Sequence, residues 1–282
     1  FVDQALAAGV ASDAAGHEQA CMGVGVGDMD GDGAFDLVIT NFSHEPNVFY
    51  AGRGSRAGVP LFSDVTAPAG LTRPSYLTLG WGVGLVDMDC DGDLDVLTAN
   101  GHLYPDVQEH VPETSYAQHL ALLENDGTGR LREMSGSAGA ALTVPHVHRG
   151  LVVADLDDDG RPDAVATVLN GATVVLRNDG RGSGRGVMLD LRRADGRTEA
   201  PGARVTVTVR DRSGERSLLR TALLGSSFAS CEDPRVHVGL GAHGVVTGVT
   251  VRWPSGVDET FGAPPSEGRV LRLVEGTGVI VA

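Results

Sequence analysis

Short hydrophobic segments rich in glycine alternate with polar turns over the first 170 residues. Three of them are MGVGVG (22–27), LGWGVGLV (79–86) and RGLVVA (149–154). After an intervening acidic stretch, each is followed by a run rich in β-branched residues: LVITN (37–41), VLTAN (96–100) and AVATVLN (164–170). Such runs, separated by turn residues, predict pairs of strands that form tight hairpins.

The turn of every predicted hairpin carries the same nine-residue pattern, D-x-D-x-D-G-x-x-D. Its copies occupy residues 28–36, 87–95 and 155–163. A second repeat keeps step with the first, at residues 1–10, 62–71 and 131–140. Two patterns that share a period of about 60 residues, with several short strands in each unit, predict the blades of a β-propeller.

The number of copies bears on how the propeller closes. Propellers have typically four to eight blades, and three acidic turns are present here. Residues 1–10 match the closing part of a unit without an acidic turn before them. We therefore expect the chain to be the C-terminal part of a longer or processed polypeptide, with a missing N-terminal propeller segment or a companion chain as its partner.

The pattern changes after Asp179. Residues 180–186 (GRGSGRG) predict a linker, and residues 187–282 contain short strands separated by turns, without further acidic repeats. The predicted fold is all-β in two domains: a partial propeller over residues 1–179, then a small β-sandwich-like domain over residues 187–282.

Composition and charge narrow the function. The formal net charge is −15, and every basic residue other than histidine is an arginine. Such acidity argues against nucleic-acid binding, which needs a basic surface, and favours a protein that collects cations. No run of 18 apolar residues occurs, so no membrane-spanning helix is predicted.

The acidic turns offer carboxylates at positions 1, 3, 5 and 9 and a backbone carbonyl at position 7. Hard cations with flexible coordination prefer such oxygen ligands, so we expect about three structural Ca²⁺ ions. A strand on either side and no glutamate at position 12 exclude an EF-hand. The predicted ligands are Asp28, Asp30, Asp32, Ala34 and Asp36, then Asp87, Asp89, Asp91, Asp93 and Asp95, then Asp155, Asp157, Asp159, Arg161 and Asp163.

A second group of polar residues lies beside the hairpins. Because equivalent positions of successive blades converge in a propeller, these side chains could line one cleft. The alternative is that they brace loops between blades. Candidates for acid–base catalysis are His44, His102, His146, His148 and Arg149. Candidates for ligand binding are Asn41, Glu45, Asn100, Tyr104, Asp106 and Asn170.

With these motifs in place, the chain resembles proteins with FG-GAP/VCBS-type repeats of integrin-like propellers. Its tail resembles the ASPIC/UnbV domain through PGARVTVTV (201–209), GSSFASCEDPRVHVGLG (225–241) and VRWPSG (251–256). Members of that family include extracellular animal proteins, secreted bacterial proteins and UnbV proteins of enediyne polyketide gene clusters. The resemblance implies a secreted or extracellular location. The abundant arginine, alanine and glycine are typical of an actinobacterium, which favours the enediyne-associated group.

Three functions stay open at this point. The first is a calcium-stabilised protein that binds a small molecule or a partner in a bacterial natural-product pathway. The second is a cofactor-independent enzyme of enediyne-type biosynthesis that uses the histidine and arginine cleft on a polyketide-like substrate. The third is an extracellular adhesion or matrix module. The sequence does not decide whether catalysis occurs.

Overall fold

The protein is all-β, as predicted. A computed structural model describes residues 1–180, 184–264 and 269–281, and 41% of the chain is in strands against 7% in helices. Part of the linker predicted at 180–186 falls on residues 181–183, which lie outside the described residues. No helix within the described ranges is long and apolar enough to cross a lipid bilayer.

Three antiparallel sheets of consecutive strands follow one another and confirm the β-propeller arrangement. The first blade contains β1 (Val24–Gly27), β2 (Asp36–Ile39), β3 (Val48–Arg56) and β4 (Val59–Asp64). The second contains β5 (Gly80–Val86), β6 (Asp95–Asn100), β7 (Ala121–Asn125) and β8 (Leu131–Glu133). The third contains β9 (His148–Ala154), β10 (Asp163–Val168) and β11 (Val174–Leu176).

Each acidic motif joins the first and second strands of a blade, which confirms the predicted hairpins. The last aspartate of every motif is already the first residue of the second strand. In the first blade, for example, Asp36 of β2 pairs with Gly27 of β1 directly across the ladder. The acidic loops therefore lie together at one end of the blades.

Side chains of the middle blade pack against both neighbours because successive residues of a strand point to opposite faces. Val96 of β6 belongs to the apolar core shared with the first blade. Its neighbour Leu97 belongs to the core shared with the third blade. Both side chains are wholly buried, so the two apolar cores fix the order of the blades.

In the first two blades, the second repeat forms the end of the outermost strand and the segment that follows it. It includes short helices or turns, and its left-handed glycines let it approach the next blade. A Cβ atom on Gly9 (φ 81°) would come within 2.7 Å of the carbonyl oxygen of Phe62, and one on Gly70 (φ 84°) within 2.9 Å of that of Leu131. The helical turns of the described residues are α1 (Ala5–Ala8), α2 (Thr72–Ser75), α3 (Val107–His110), α4 (Ser135–Ala138) and a 3-10 turn (Ala140–Thr143).

The C-terminal strands form two four-stranded sheets around one apolar core. Val205, Val207 and Val209 alternate along a strand and are wholly buried, as expected for a sheet with one face in a core. The strands are β12 (Gly186–Arg192), β13 (Arg204–Arg210), β14 (Glu215–Thr221), β15 (Gly225–Ser226), β16 (Ser230–Cys231), β17 (Val236–Gly239), β18 (Val245–Arg252), β19 (Asp258–Phe261), β20 (Val270–Val274) and β21 (Ile280–Val281). One sheet has the order β17-β12-β20-β21 and the other β14-β13-β18-β19.

The β15–β16 hairpin leaves the C-terminal domain and contacts the first strand of all three blades. The amide of Ser227 donates to the carbonyl of Val24 at 3.2 Å, and the Ser227 hydroxyl accepts the Val83 amide at 2.6 Å. The hydroxyl of Ser230 accepts the amide of Leu151 at 3.0 Å. Backbone groups left unpaired along the edge of a strand cost free energy. This hairpin provides hydrogen-bond partners for some of these groups in the first strands.

The body of the C-terminal domain docks on the acidic-loop end of the blades. The Gly239 amide donates to Asp87 Oδ2 at 3.0 Å, and the Gly241 amide donates to the carbonyl of Cys90 at 2.7 Å. His237 Nε2 donates to the carbonyl of Gly160 at 3.2 Å. The second and third acidic loops are thus covered by backbone and side-chain groups of the C-terminal domain.

Candidate metal centres and the polar loops beyond them

The acidic loops share one backbone conformation, set by their first aspartate and their glycine. The glycine at position 6 has a positive φ in every copy, which favours a residue without a side chain. Its amide donates to the first aspartate in each loop: Gly33 to Asp28 at 3.1 Å, Gly92 to Asp87 at 2.9 Å and Gly160 to Asp155 at 2.9 Å.

The aspartate at position 9 fastens the loop to the sheet. In the first loop Asp36 accepts the amide of Met29 with one oxygen and the amide of Gly52 in β3 with the other, both at 2.7 Å. Asp95 and Asp163 repeat both bonds in their own blades. Burial raises the pKa of Asp36 to about 6 and that of Asp95 to about 8. The predicted ligands Asp36, Asp95 and Asp163 therefore also have this structural role.

The carboxylates within each loop also lie close to one another. In each loop three of them offer oxygen atoms that all lie within 4.8 Å of one another. The clusters are Asp28, Asp30 and Asp32; Asp87, Asp89 and Asp91; and Asp155, Asp157 and Asp163. Charges of one sign at such distances repel strongly unless a cation lies between them or protons neutralise them.

Two of these clusters contain a buried carboxylate oxygen without a partner. Asp28 Oδ1 and Asp87 Oδ1 make no hydrogen bond within the described part of the chain. Asp28 is 7% exposed and Asp87 is 1% exposed. Burial raises the pKa of Asp28, and it raises that of Asp87 to about 7. An unpaired oxygen buried among other carboxylates suits a divalent cation, and oxygen ligands alone suit Ca²⁺ best.

Other predicted metal ligands make hydrogen bonds within their own acidic loop. Asp32 accepts the amide of Ala34 at 2.8 Å, Asp91 that of Asp93 at 2.9 Å, and Asp159 that of Arg161 at 3.0 Å. These bonds shape the turn at position 7, whose carbonyls are predicted to bind metal. In the third loop Asp163 joins the carboxylate cluster in place of Asp159.

Two asparagines that the sequence analysis missed connect the first acidic loop to the second blade and the second acidic loop to the third blade. Asn125 Nδ2 donates to the carbonyls of Met29 and Leu94, at 2.7 and 3.0 Å. Asn178 Nδ2 repeats the arrangement with the carbonyls of Met88 and Pro162, at 2.6 and 3.3 Å. The available signal was the tripeptide Asn-Asp-Gly at 125–127 and 178–180, which has the composition of an ordinary turn.

At the opposite end of the blades, part of the predicted polar cluster does come together. His102 and Arg149 are joined by a bond from the guanidinium to the His102 carbonyl at 3.2 Å, and the same guanidinium lies 4.2 Å from the centre of the Trp81 ring. His148 Nδ1 donates to the carbonyl of Asn100 at 3.0 Å, and its ring lies 5.5 Å from that of His146. These contacts brace loops between the second and third blades.

The two buried histidines of this group are poor proton donors at neutral pH. Burial lowers the pKa of His102 and of His148. His102 Nδ1 accepts the amide of Tyr104 at 3.1 Å, so in the neutral ring Nε2 carries the proton and donates to Ser43 Oγ at 3.1 Å. The ring is held in one tautomer by protein groups on both sides.

The remaining predicted residues have other neighbours. His44 lies 3.5 Å from Glu113 and packs edge-on against Tyr76. Glu45 accepts the amide of Ala20 at 2.8 Å, and Asp106 lies 3.8 Å from His110. Asn41 Nδ2 donates within its own loop to the carbonyl of Pro46 at 2.8 Å. Asn170 is exposed at the end of the third blade.

Comparison with protein families matches both parts of the chain. Residues 28–98 match the family described as FG-GAP-like repeat. Residues 194–279 match the family described as ASPIC and UnbV. No curated protein matches the chain.

Proposed function

Because the chain carries an FG-GAP-like repeat followed by an ASPIC and UnbV domain, we propose that it is a binding protein whose propeller is stabilised by calcium. One observation carries the proposal: Asp28 Oδ1 and Asp87 Oδ1 are buried in carboxylate clusters without a partner in the described residues. In a cation-free loop these groups cost free energy, and a bound Ca²⁺ would offset that cost. We propose the same role for the third loop because it has the same D-x-D-x-D-G-x-x-D pattern.

Calcium fits the donor set better than other metals. The clusters offer carboxylates and backbone carbonyls, whereas zinc, copper and nickel ions favour nitrogen or sulfur ligands. Mg²⁺ requires a smaller and more regular octahedral shell than a flexible loop of aspartates provides. The ions would tie the two strands of each hairpin together beside the interface with the C-terminal domain.

The test is a comparison of melting temperature and bound calcium in the whole chain. Added Ca²⁺ should raise the melting temperature by mass action, and a chelator should lower it. Asp87→Asn should bind one Ca²⁺ ion fewer than the wild type, so its melting temperature should rise less when Ca²⁺ is added. Asp258→Asn, at an exposed pair with Arg252, serves as the control. Unchanged melting with Ca²⁺ and chelator would contradict the proposal.

We propose a ligand-binding surface at the loop end opposite the acidic clusters. Its support is a group of exposed apolar side chains around the predicted residues His44 and His102: Tyr76, Leu77, Leu103 and Tyr104, each at least 40% exposed. The Phe42 ring lies 6.5 Å from that of Tyr104 and 5.3 Å from that of His102, and the Tyr76 ring lies 5.3 Å from that of His44. Exposed aromatic groups of this kind mark interaction sites, and the natural-product pathway predicted from the sequence suggests a polyketide-like small molecule.

Binding is favoured over catalysis by the contacts of the catalytic candidates. His102, His148 and Arg149 direct donors to backbone carbonyls or to Ser43, which is a bracing role. A thermal-shift screen with polyketide-like aromatic compounds tests the surface. Tyr104→Ser should abolish any shift that the wild type shows, and Val175→Ser, exposed on the third blade, should preserve it. A shift that survives Tyr104→Ser would place the ligand elsewhere.

A further inference from the structure

Arg220 of β14 is a buried arginine that projects from the C-terminal domain towards the acidic loops. Arg220 is 7% exposed. One guanidinium nitrogen donates to the carbonyl of Gly92, in the second acidic loop, at 2.6 Å, and another donates to its neighbour Leu219 at 3.0 Å. Its Nε makes no hydrogen bond within the described residues. A buried charge with so few partners needs an electrostatic reason.

That reason lies in two carboxylates from different loops. The positive charge of Arg220 favours the ionised forms of both Asp87 and Asp28, and it acts against the rise in their pKa that burial causes. The same two aspartates, with Asp93, are the groups that favour the charged form of Arg220. The guanidinium therefore acts on the first and second acidic loops at once.

Other arginines of the C-terminal domain repeat this relation. Arg216 donates to the carbonyl of Asp91 and lies 3.8 Å from the carboxylate of Asp93. Arg235 lies at the third loop, where it donates to the carbonyl of Asp155 at 2.9 Å and pairs with Asp158 at 2.8 Å. Each acidic loop thus has a guanidinium from the C-terminal domain in its surroundings.

We propose that Arg220 is a resident counter-cation of the first two acidic loops and lowers their affinity for divalent cations. The inference rests on the proposed calcium binding. A fixed positive charge beside Asp28 and Asp87 repels an incoming ion while it neutralises the carboxylates in the ion's absence. Coupling of this kind is reciprocal, so a bound cation also weakens the electrostatic attraction between Arg220 and the acidic loops. The C-terminal domain would in this way set the calcium range over which the propeller is loaded.

The test is isothermal titration calorimetry with Ca²⁺ on the whole chain. It compares the wild type with Arg220→Met, Arg220→Lys and the exposed control Arg252→Met. Removing the charge in Arg220→Met should raise the affinity of two sites by about tenfold or more, from the Coulomb energy of partly buried charges, and leave the third unchanged. Arg220→Lys keeps the charge and should resemble the wild type. A purely structural arginine would instead give equal or weaker affinity in Arg220→Met, and this result would overturn the inference.

A second variant covers the case in which Arg220→Met does not fold. Arg216 is more exposed, with 32% of its side chain accessible, and Arg216→Met should raise affinity at the second loop alone. Unchanged affinity in this variant would overturn the inference while calcium binding itself stood. If the wild type binds no calcium in the same titration, the proposed function fails, and the inference fails with it.

Discussion

Asn125 of the second blade donates its side-chain amide to the carbonyl oxygen of Met29, inside the acidic loop of the first blade, at 2.7 Å. The two residues are 96 positions apart in the sequence. The same side chain donates to Leu94 of its own blade, so one amide group joins two neighbouring acidic loops. Blade packing and loop shape are thereby coupled through a polar side chain that is 3% exposed.

Asn125→Ala should destabilise the protein strongly. It leaves the carbonyls of Met29 and Leu94 without this donor, and it removes the oxygen that accepts the amides of Gly127 and Gly129. Unpaired buried polar groups cost about 1–3 kcal/mol each, so we expect a loss of about 2–3 kcal/mol in the free energy of unfolding. Urea denaturation measures it, with exposed Gln108→Ala as the control. Equal midpoints for the two variants would exclude the inter-blade role.

The metal-free protein should become less stable as the pH rises from about 4 to 8. Burial raises the pKa of Asp36 to about 6, of Asp87 to about 7 and of Asp95 to about 8. Because these values exceed the ordinary 3.8, the folded state holds protons that the unfolded state has released, and their stabilisation is lost as the pH passes through the folded pKa values.

Calcium should reverse this trend, since it binds the ionised carboxylates. The difference in melting temperature between calcium-loaded and chelated protein should therefore widen from pH 5 to pH 8. Thermal unfolding at several pH values checks both expectations. A chelated protein that gains stability over this range would contradict the assigned burial of the three aspartates.

The sequence alone was sufficient to predict those elements that are specified by residues close together in the chain. The acidic hairpins follow from strand residues on both sides of a turn with a fixed glycine, and the all-β tail follows from alternation such as that of Val205, Val207 and Val209. The place of the C-terminal domain could not be predicted. Arg216 and Arg220 lie in β14 and Arg235 directly precedes β17, as ordinary surface arginines would, and only the long-range packing shows that they face the acidic loops.

The polar cluster was only partly predictable for a similar reason. Packing of the second and third blades does bring together His102, which follows β6, and Arg149 of β9. Loop length and local hydrogen bonds instead turn Glu45 towards Ala20 and Asp106 towards His110. The repeat fixes where each loop leaves its blade, and the residues within each loop decide where its side chains point.

Ser227→Ala should loosen the contact between the β15–β16 hairpin and the blades. The lost hydroxyl is the acceptor of the Val83 amide, and Val83 is 1% exposed. A buried donor left without an acceptor predicts a loss of about 1–3 kcal/mol. Urea denaturation measures this loss, with Ser137→Ala as the control at an exposed serine. Hydrogen exchange of the Val83 amide should also become faster in the variant, and an unchanged rate would argue against the contact.

His44 allows a test that separates backbone strain from side-chain function. It has a φ of 69°, a left-handed conformation that costs a residue with a Cβ atom about 1 kcal/mol. His44→Gly and His44→Ala both lose the imidazole and its contacts with Glu113 and Tyr76, but only alanine retains the strain. The glycine variant should therefore be more stable than the alanine variant by about 1 kcal/mol in urea denaturation. If His44 belongs to the proposed ligand surface, both variants should lose the ligand-induced thermal shift equally; a loss in the alanine variant alone would trace the effect to the backbone.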